Sequence, residues 1–125
     1  MPRRLRHPFR AAAALALAAL CAHGASAQQM PSASEQRAYT GLQQAAWRRD
    51  LQSLDKLLAP GNKPHLEVRD PHGRTPLQIA TYAKQREAIR RLARAGAKLD
   101  AMDSQRYDAV TIASVADDPE TLALL

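Results

Sequence analysis

Four side chains able to hold a metal or move a proton fall within eight residues: His65, Glu67, Asp70 and His72. Imidazole and carboxylate are both zinc ligands, so the cluster could clamp an ion. The alternative is that Asp70 and His72 shape a turn while His65 and Glu67 form a polar loop surface. Loop spacing of this kind, without cysteine, is not diagnostic of a metal site, and the chain reads as needing no metal or cofactor. There is no Gly-rich phosphate loop, Walker-type pattern, H-E-x-x-H helix or nucleophile elbow. No catalytic residue is assigned, and the expectation is a protein that is not an enzyme.

A second chemistry-bearing pattern is cationic. Arg86, Arg90 and Arg94 recur every fourth residue, with Lys98 continuing the line, so a helix would present them on one face. Such a stripe could meet anionic lipid headgroups or an acidic partner. Glu87 beside it favours the plainer reading of a solvated helix face. The formal charge of +6 invites a nucleic-acid reading, but four of the eighteen basic residues and none of the twelve acidic ones lie in the first 27 positions. The remainder holds 14 basic against 12 acidic residues, so nothing calls for a polyanionic partner.

Those first 27 residues read as an address. Met1 to Arg10 is basic, Ala11 to Leu20 is an unbroken apolar run, and Ala25-Ser26-Ala27 offers small residues to a signal peptidase. The run is short of the ~20 residues that anchor a helix in a bilayer. Leu20 ahead of Cys21 argues against a lipoprotein, and the Arg3-Arg4 pair leaves the export route open. The expected mature chain begins near Gln28, contains no cysteine and resides in a periplasm or outside the cell.

The rest is periodic. Asp70-Pro71-His72-Gly73-Arg74-Thr75-Pro76-Leu77-Gln78-Ile79-Ala80 opens a unit that closes on Gly96-Ala97. Asp103 starts another copy 33 residues later, in which Asp108-Ala109-Val110-Thr111-Ile112-Ala113 falls on Thr75 to Ala80. An earlier copy lies 35 residues upstream: Leu42, Ala45, Leu54, Leu57 and Gly61 match Leu77, Ala80, Ile89, Leu92 and Gly96. Thr75, Asp108 and Asp118 stand where helix N-caps are needed, Pro76 and Pro119 follow at first helical positions, and Ser32 to Glu35 has capping-box spacing. Aromatic residues are few, so Ala, Leu, Ile and Val must fill the core.

This pattern resembles the ankyrin repeat over roughly residues 39–125. The resemblance implies an all-α solenoid of stacked helix-turn-helix pairs with finger loops. Residues 28–33 are expected to be a flexible lead, followed by an ankyrin-repeat domain over 34–125 with repeats at about 37–69, 70–102 and 103–125, the last incomplete. The array is expected to continue past Leu125, because solenoids need capped ends. Three departures stand out. Gln78 replaces a His and should weaken a usual hydrogen bond, Lys84 replaces a helix-ending Gly, and Arg106 replaces a turn Gly.

The resemblance further implies binding of another protein through finger tips and the inner helix of each pair. The positions so mapped are Trp47, Arg48, His72, Arg74, Tyr82, Met102, Gln105 and Tyr107, with Val115 beside them. Trp47, Tyr82 and Val115 share one repeat position and would form a ridge, unless Trp47 serves instead as a lid on the end of the core. Trp, Tyr and Arg are the types that dominate interface energetics. The expected function is an exported, monomeric protein-interaction module that binds no nucleic acid. The alternatives are an accessory or targeting domain of a longer protein, or contact of the basic helix with an anionic membrane.

Overall fold

The computed structural model describes residues 29–125; the expected signal segment, 1–27, lies outside them. Among the described residues there are seven helices and no strand. A short α1 (Ala33–Ala38) precedes three helix pairs: α2 (Gly41–Arg48) with α3 (Leu51–Leu58), α4 (Pro76–Tyr82) with α5 (Arg86–Arg94), and α6 (Ala109–Val115) with α7 (Pro119–Leu122). Within each pair the two helices pack together. Between pairs α2 packs on α4 and α4 on α6, giving an inner row, while α3 packs on α5 in an outer row.

Each pair is closed by the same backbone device. Arg49, Lys84 and Asp117 adopt left-handed φ of 56°, 54° and 50° just after the inner helix. The following N–H then donates back into that helix: Asp50 to Ala45 O at 3.0 Å, Gln85 to Ala80 O at 2.9 Å, Asp118 to Ala113 O at 3.0 Å. These hydrogen bonds satisfy carbonyls that helix ends otherwise leave open. Lys84 therefore fills the glycine position in the glycine conformation, as does Arg106 at φ 66° in the finger turn.

The fingers also repeat. Asp70 and Asp103 each accept, through Oδ1, the N–H groups two and four residues on, all at 2.9 Å. Their own N–H groups donate to Arg74 O and Tyr107 O. Successive fingers are joined where Ser104 N–H and Oγ–H both donate to His72 O, and where Arg69 donates to Gly73 O and Met102 O. Gln78 is better bonded than its replacement of a His implies. Its Oε1 accepts Thr75 N–H at 2.8 Å, and its Nε2 donates to Ala101 O and Tyr107 O at 2.6 and 2.9 Å. The amide reaches back to cap its own helix and forward to hold the next finger.

The core runs through the middle of the stack. Leu54, Leu77, Ile79, Ile89, Leu92 and Ile112 are fully buried, each contributing about 1.5–3 kcal/mol by leaving water. The described part of the N-terminal stretch leads directly into α1. Ser32 and Glu35 form a reciprocal capping box, Gln36 donates to Pro31 O at 2.7 Å, and Pro31 is buried.

Candidate interaction surface

The residues expected to form an exposed ridge separate into two groups. Arg74 is only 1% exposed. Its Nε donates to Asp70 Oδ2 at 2.7 Å, one terminal nitrogen to Glu35 Oε1 at 2.9 Å, and the other to Gln29 O at 2.7 Å. Tyr39, itself buried, donates its hydroxyl to the same Asp70 Oδ2 at 2.7 Å. Burial alone would raise the Asp70 carboxyl, but the Arg74 N–H, the Tyr39 hydroxyl and the Arg74 guanidinium together hold it below its ordinary value. Arg74 is thus a structural cation sealed under the N-terminal segment, and its assignment as an exposed contact is corrected. Tyr39 went unnoticed in the sequence, although it occupies the same repeat position as Arg74 and Tyr107.

Tyr82 is corrected likewise. It is 8% exposed and its ring lies beneath the Arg74 guanidinium, 5.8 Å from centroid to Cζ. Among the described residues its buried hydroxyl has no partner, and burial first, then the nearby Asp103 charge, push its pKa up to about 12. Trp47 is partly buried and packs against the core, so it acts as a lid as well as a surface. Trp47, Tyr82 and Val115 are thus unequally accessible: Trp47 is partly buried, Tyr82 is buried and Val115 is exposed.

What stays accessible lies mainly at the Asp103 finger and on α6. Met102 in the finger and Val115 at the end of α6 are 51% and 61% exposed. Tyr107 and Gln105 are half-buried, and Arg48 is exposed. His72 keeps 43% of its side chain in solvent while its Nε2 lies 2.9 Å from Glu35 Oε1.

The His65, Glu67, Asp70 and His72 cluster is dispersed. Glu67 accepts the Lys98 N–H at 2.8 Å, Asp70 serves Arg74 and Tyr39, and His72 turns to Glu35. Among the described residues no three His, Cys, Asp or Glu side chains converge on one point. Half of the cationic stripe is paired: Arg86 with Asp118 and Glu120 at 3.0 Å each, and Arg90 with Glu87 at 3.1 Å. No helix among the described residues is long and apolar enough to cross a membrane.

Helix pairs stacked inner on inner and outer on outer, joined by hydrogen-bonded fingers at a 33-residue period, define an ankyrin-repeat solenoid. The chain is 33% identical over 90 residues to the ankyrin repeat domain-containing protein SAT10 of Stachybotrys chartarum. That alignment covers 69% of this chain and 5% of the fungal protein. No protein-family model matches the chain.

Proposed function

We propose that this chain is a non-catalytic protein-interaction module, exported from the cytoplasm and acting as a monomer in a periplasm or outside the cell. Repeat solenoids present stacked surfaces to partners. The observation that carries the reading is the solvent exposure of Met102, Val110 and Val115, at the Asp103 finger and on the helix that follows it. Arg48, His72, Gln105 and Tyr107 supply polar and aromatic groups on the same kinds of element. Export rests on the basic, apolar and Ala-Ser-Ala sequence of residues 1–27.

Two measurements test it. Mass spectrometry of the native protein should find a mature N-terminus at or near Gln28; an intact Met1 on material recovered from outside the cytoplasm counts against processing. Affinity capture from a periplasmic extract should lose its partner with Met102→Ser/Val115→Ser while the melting temperature holds. Arg90→Ala, on the outer helix, should leave capture unchanged. Loss with Arg90→Ala alone moves the contact to the outer row and favours an anionic surface. A second reading, a module within a much longer protein, is favoured by the 5% coverage of the fungal relative.

A further inference from the structure

The first repeat contains an unfinished helix start. Thr40-Gly41-Leu42-Gln43 occupies the positions of Thr75-Pro76-Leu77-Gln78, and Asp108 holds the cap position in the third copy. In the second copy the Thr75 hydroxyl and Gln78 amide complete a capping box. In the third, the Asp108 carboxylate accepts Thr111 N–H at 2.8 Å. In the first, Thr40 makes no side-chain cap. Gln43 is only 9% exposed, yet among the described residues its amide makes no hydrogen bond.

Both residues line a cavity of about 580 Å³ between the start of α2 and the long first finger, a size typical of small-ligand sites. Gln43 also borders a neighbouring hollow beneath α1. Leu42, Leu57 and Val68 give the cavity apolar walls; among the described residues Lys63 and His65 are the ionisable side chains that line it, and no carboxylate does. Gly41 brings bare backbone to the wall in a left-handed conformation (φ 54°), and a Cβ there would meet nothing within 4 Å. The N–H groups of the first turn have no intrahelical acceptor, and the helix dipole adds partial positive charge at that end.

We propose that this cavity binds a carboxylate bearing a short apolar chain, with the carboxylate capping α2 as the Asp108 side chain caps α6. The first-turn N–H groups, the Thr40 hydroxyl and the Gln43 amide N–H donate to it, Lys63 balances its charge, and the chain lies against Leu42, Leu57 and Val68. The site stands apart from the surface around Met102 and Val115.

Titration of the full chain with hexanoate, followed by amide NMR and calorimetry, tests this. Saturable one-site binding is expected, with the largest shifts at Gly41, Leu42 and Gln43. Hexanamide should bind at least about tenfold more weakly, the loss of one strong charge-assisted interaction. A peptide ending in leucine, compared with its amidated form, distinguishes the sources. Tighter binding of the free-acid peptide than of hexanoate identifies a polypeptide C-terminus; weaker binding identifies a small organic acid. Both keep the carboxylate site. Lys63→Gln should weaken hexanoate by about two- to fivefold at unchanged melting temperature, as exposed charge pairs do. Gln43→Leu should weaken it further if the variant folds, and Lys63→Gln decides the matter if it does not. Equal affinity for acid and amide, no saturable shift at 41–43, or a Lys63→Gln affinity equal to wild type would overturn the proposal.

Discussion

Tyr82 and Arg74 show how burial reverses a residue's expected role. A Tyr hydroxyl buried without a partner is costly, and removing it is neutral or favourable. Tyr82→Phe is therefore expected to leave stability within about 1 kcal/mol. Tyr82→Ala should cost about 3–5 kcal/mol, the range for truncating a buried aromatic, and it also removes the ring beneath Arg74. Urea midpoints of the two variants measure both. Arg74→Met would strand the Asp70 carboxylate, itself about 1% exposed at the side chain; breaking such a buried pair costs about 3–5 kcal/mol. Because Arg74 also holds Glu35 and Gln29 O, amides of residues 33–38 should exchange faster with solvent in this variant than in Leu77→Ala. Equal exchange in the two would mean that Arg74 does not anchor the N-terminal segment.

At the scale of the element, the finger turn sets the register of the stack. Gly73 has φ 72°, and a Cβ there would lie 3.1 Å from Ser104 N of the next finger. Gly61 is also left-handed, at φ 99°, but its Cβ would meet nothing within 4 Å. Both Gly→Ala changes carry a backbone penalty of about 1–2 kcal/mol. Gly73→Ala should exceed Gly61→Ala, because it also pushes apart the fingers joined by the Ser104 to His72 hydrogen bonds. Thermal unfolding that ranks the two the other way would show that finger stacking contributes little. Leu77→Ala, at the centre of α4, should lower stability by about 2–5 kcal/mol.

For the whole molecule, carboxylates distributed along the array tie stability to pH. Asp70, Asp108, Asp118 and Glu35 all lie below their ordinary values. At Asp108 the Thr111 hydrogen bonds are the main cause, and at Asp118 those of Thr121. At Glu35 burial opposes the shift and the Ser32 cap outweighs it. A lowered folded value means the unfolded chain takes up protons first on acidification. The stability these groups contribute is full above the ordinary range of about 4 and is lost as pH falls through the folded values. Tyr39 and Tyr82 are raised, chiefly by burial, so their contribution is present below about pH 10 and is lost above it. Urea midpoints should plateau near neutral pH and fall toward pH 3. Asp70→Asn should be less stable at pH 7 and flatter below pH 4. A slope as steep as wild type would assign the acid loss to the other carboxylates.

Local chemistry was written in the sequence. Thr75-Pro76, Asp108, Asp118-Pro119 and the Ser32 to Glu35 box cap their helices through bonds spanning three residues. The apolar spacing of 12 and 15 residues carried by Leu42, Leu77 and Val110 fixed which helices pair. Lys84 and Arg106 could be placed in left-handed turns because the period puts them where backbone, not side chain, sets the geometry. The surface was not legible in the same way. Arg74 is buried by groups 39 and 45 residues upstream, Glu35 and Gln29, and no local pattern announces that α1 folds back over the Asp70 finger. Val110 and Val115 share repeat positions with Leu77 and Tyr82 yet are exposed where those two are buried, a difference that residue type and repeat position do not carry. Only the tertiary structure could decide that Gln43 and Gln78, identical in type and repeat position, differ in role: Gln43 borders an open cavity, whereas the Gln78 amide reaches the backbone carbonyls of the Asp103 finger, because that contact is made between repeats and not within one.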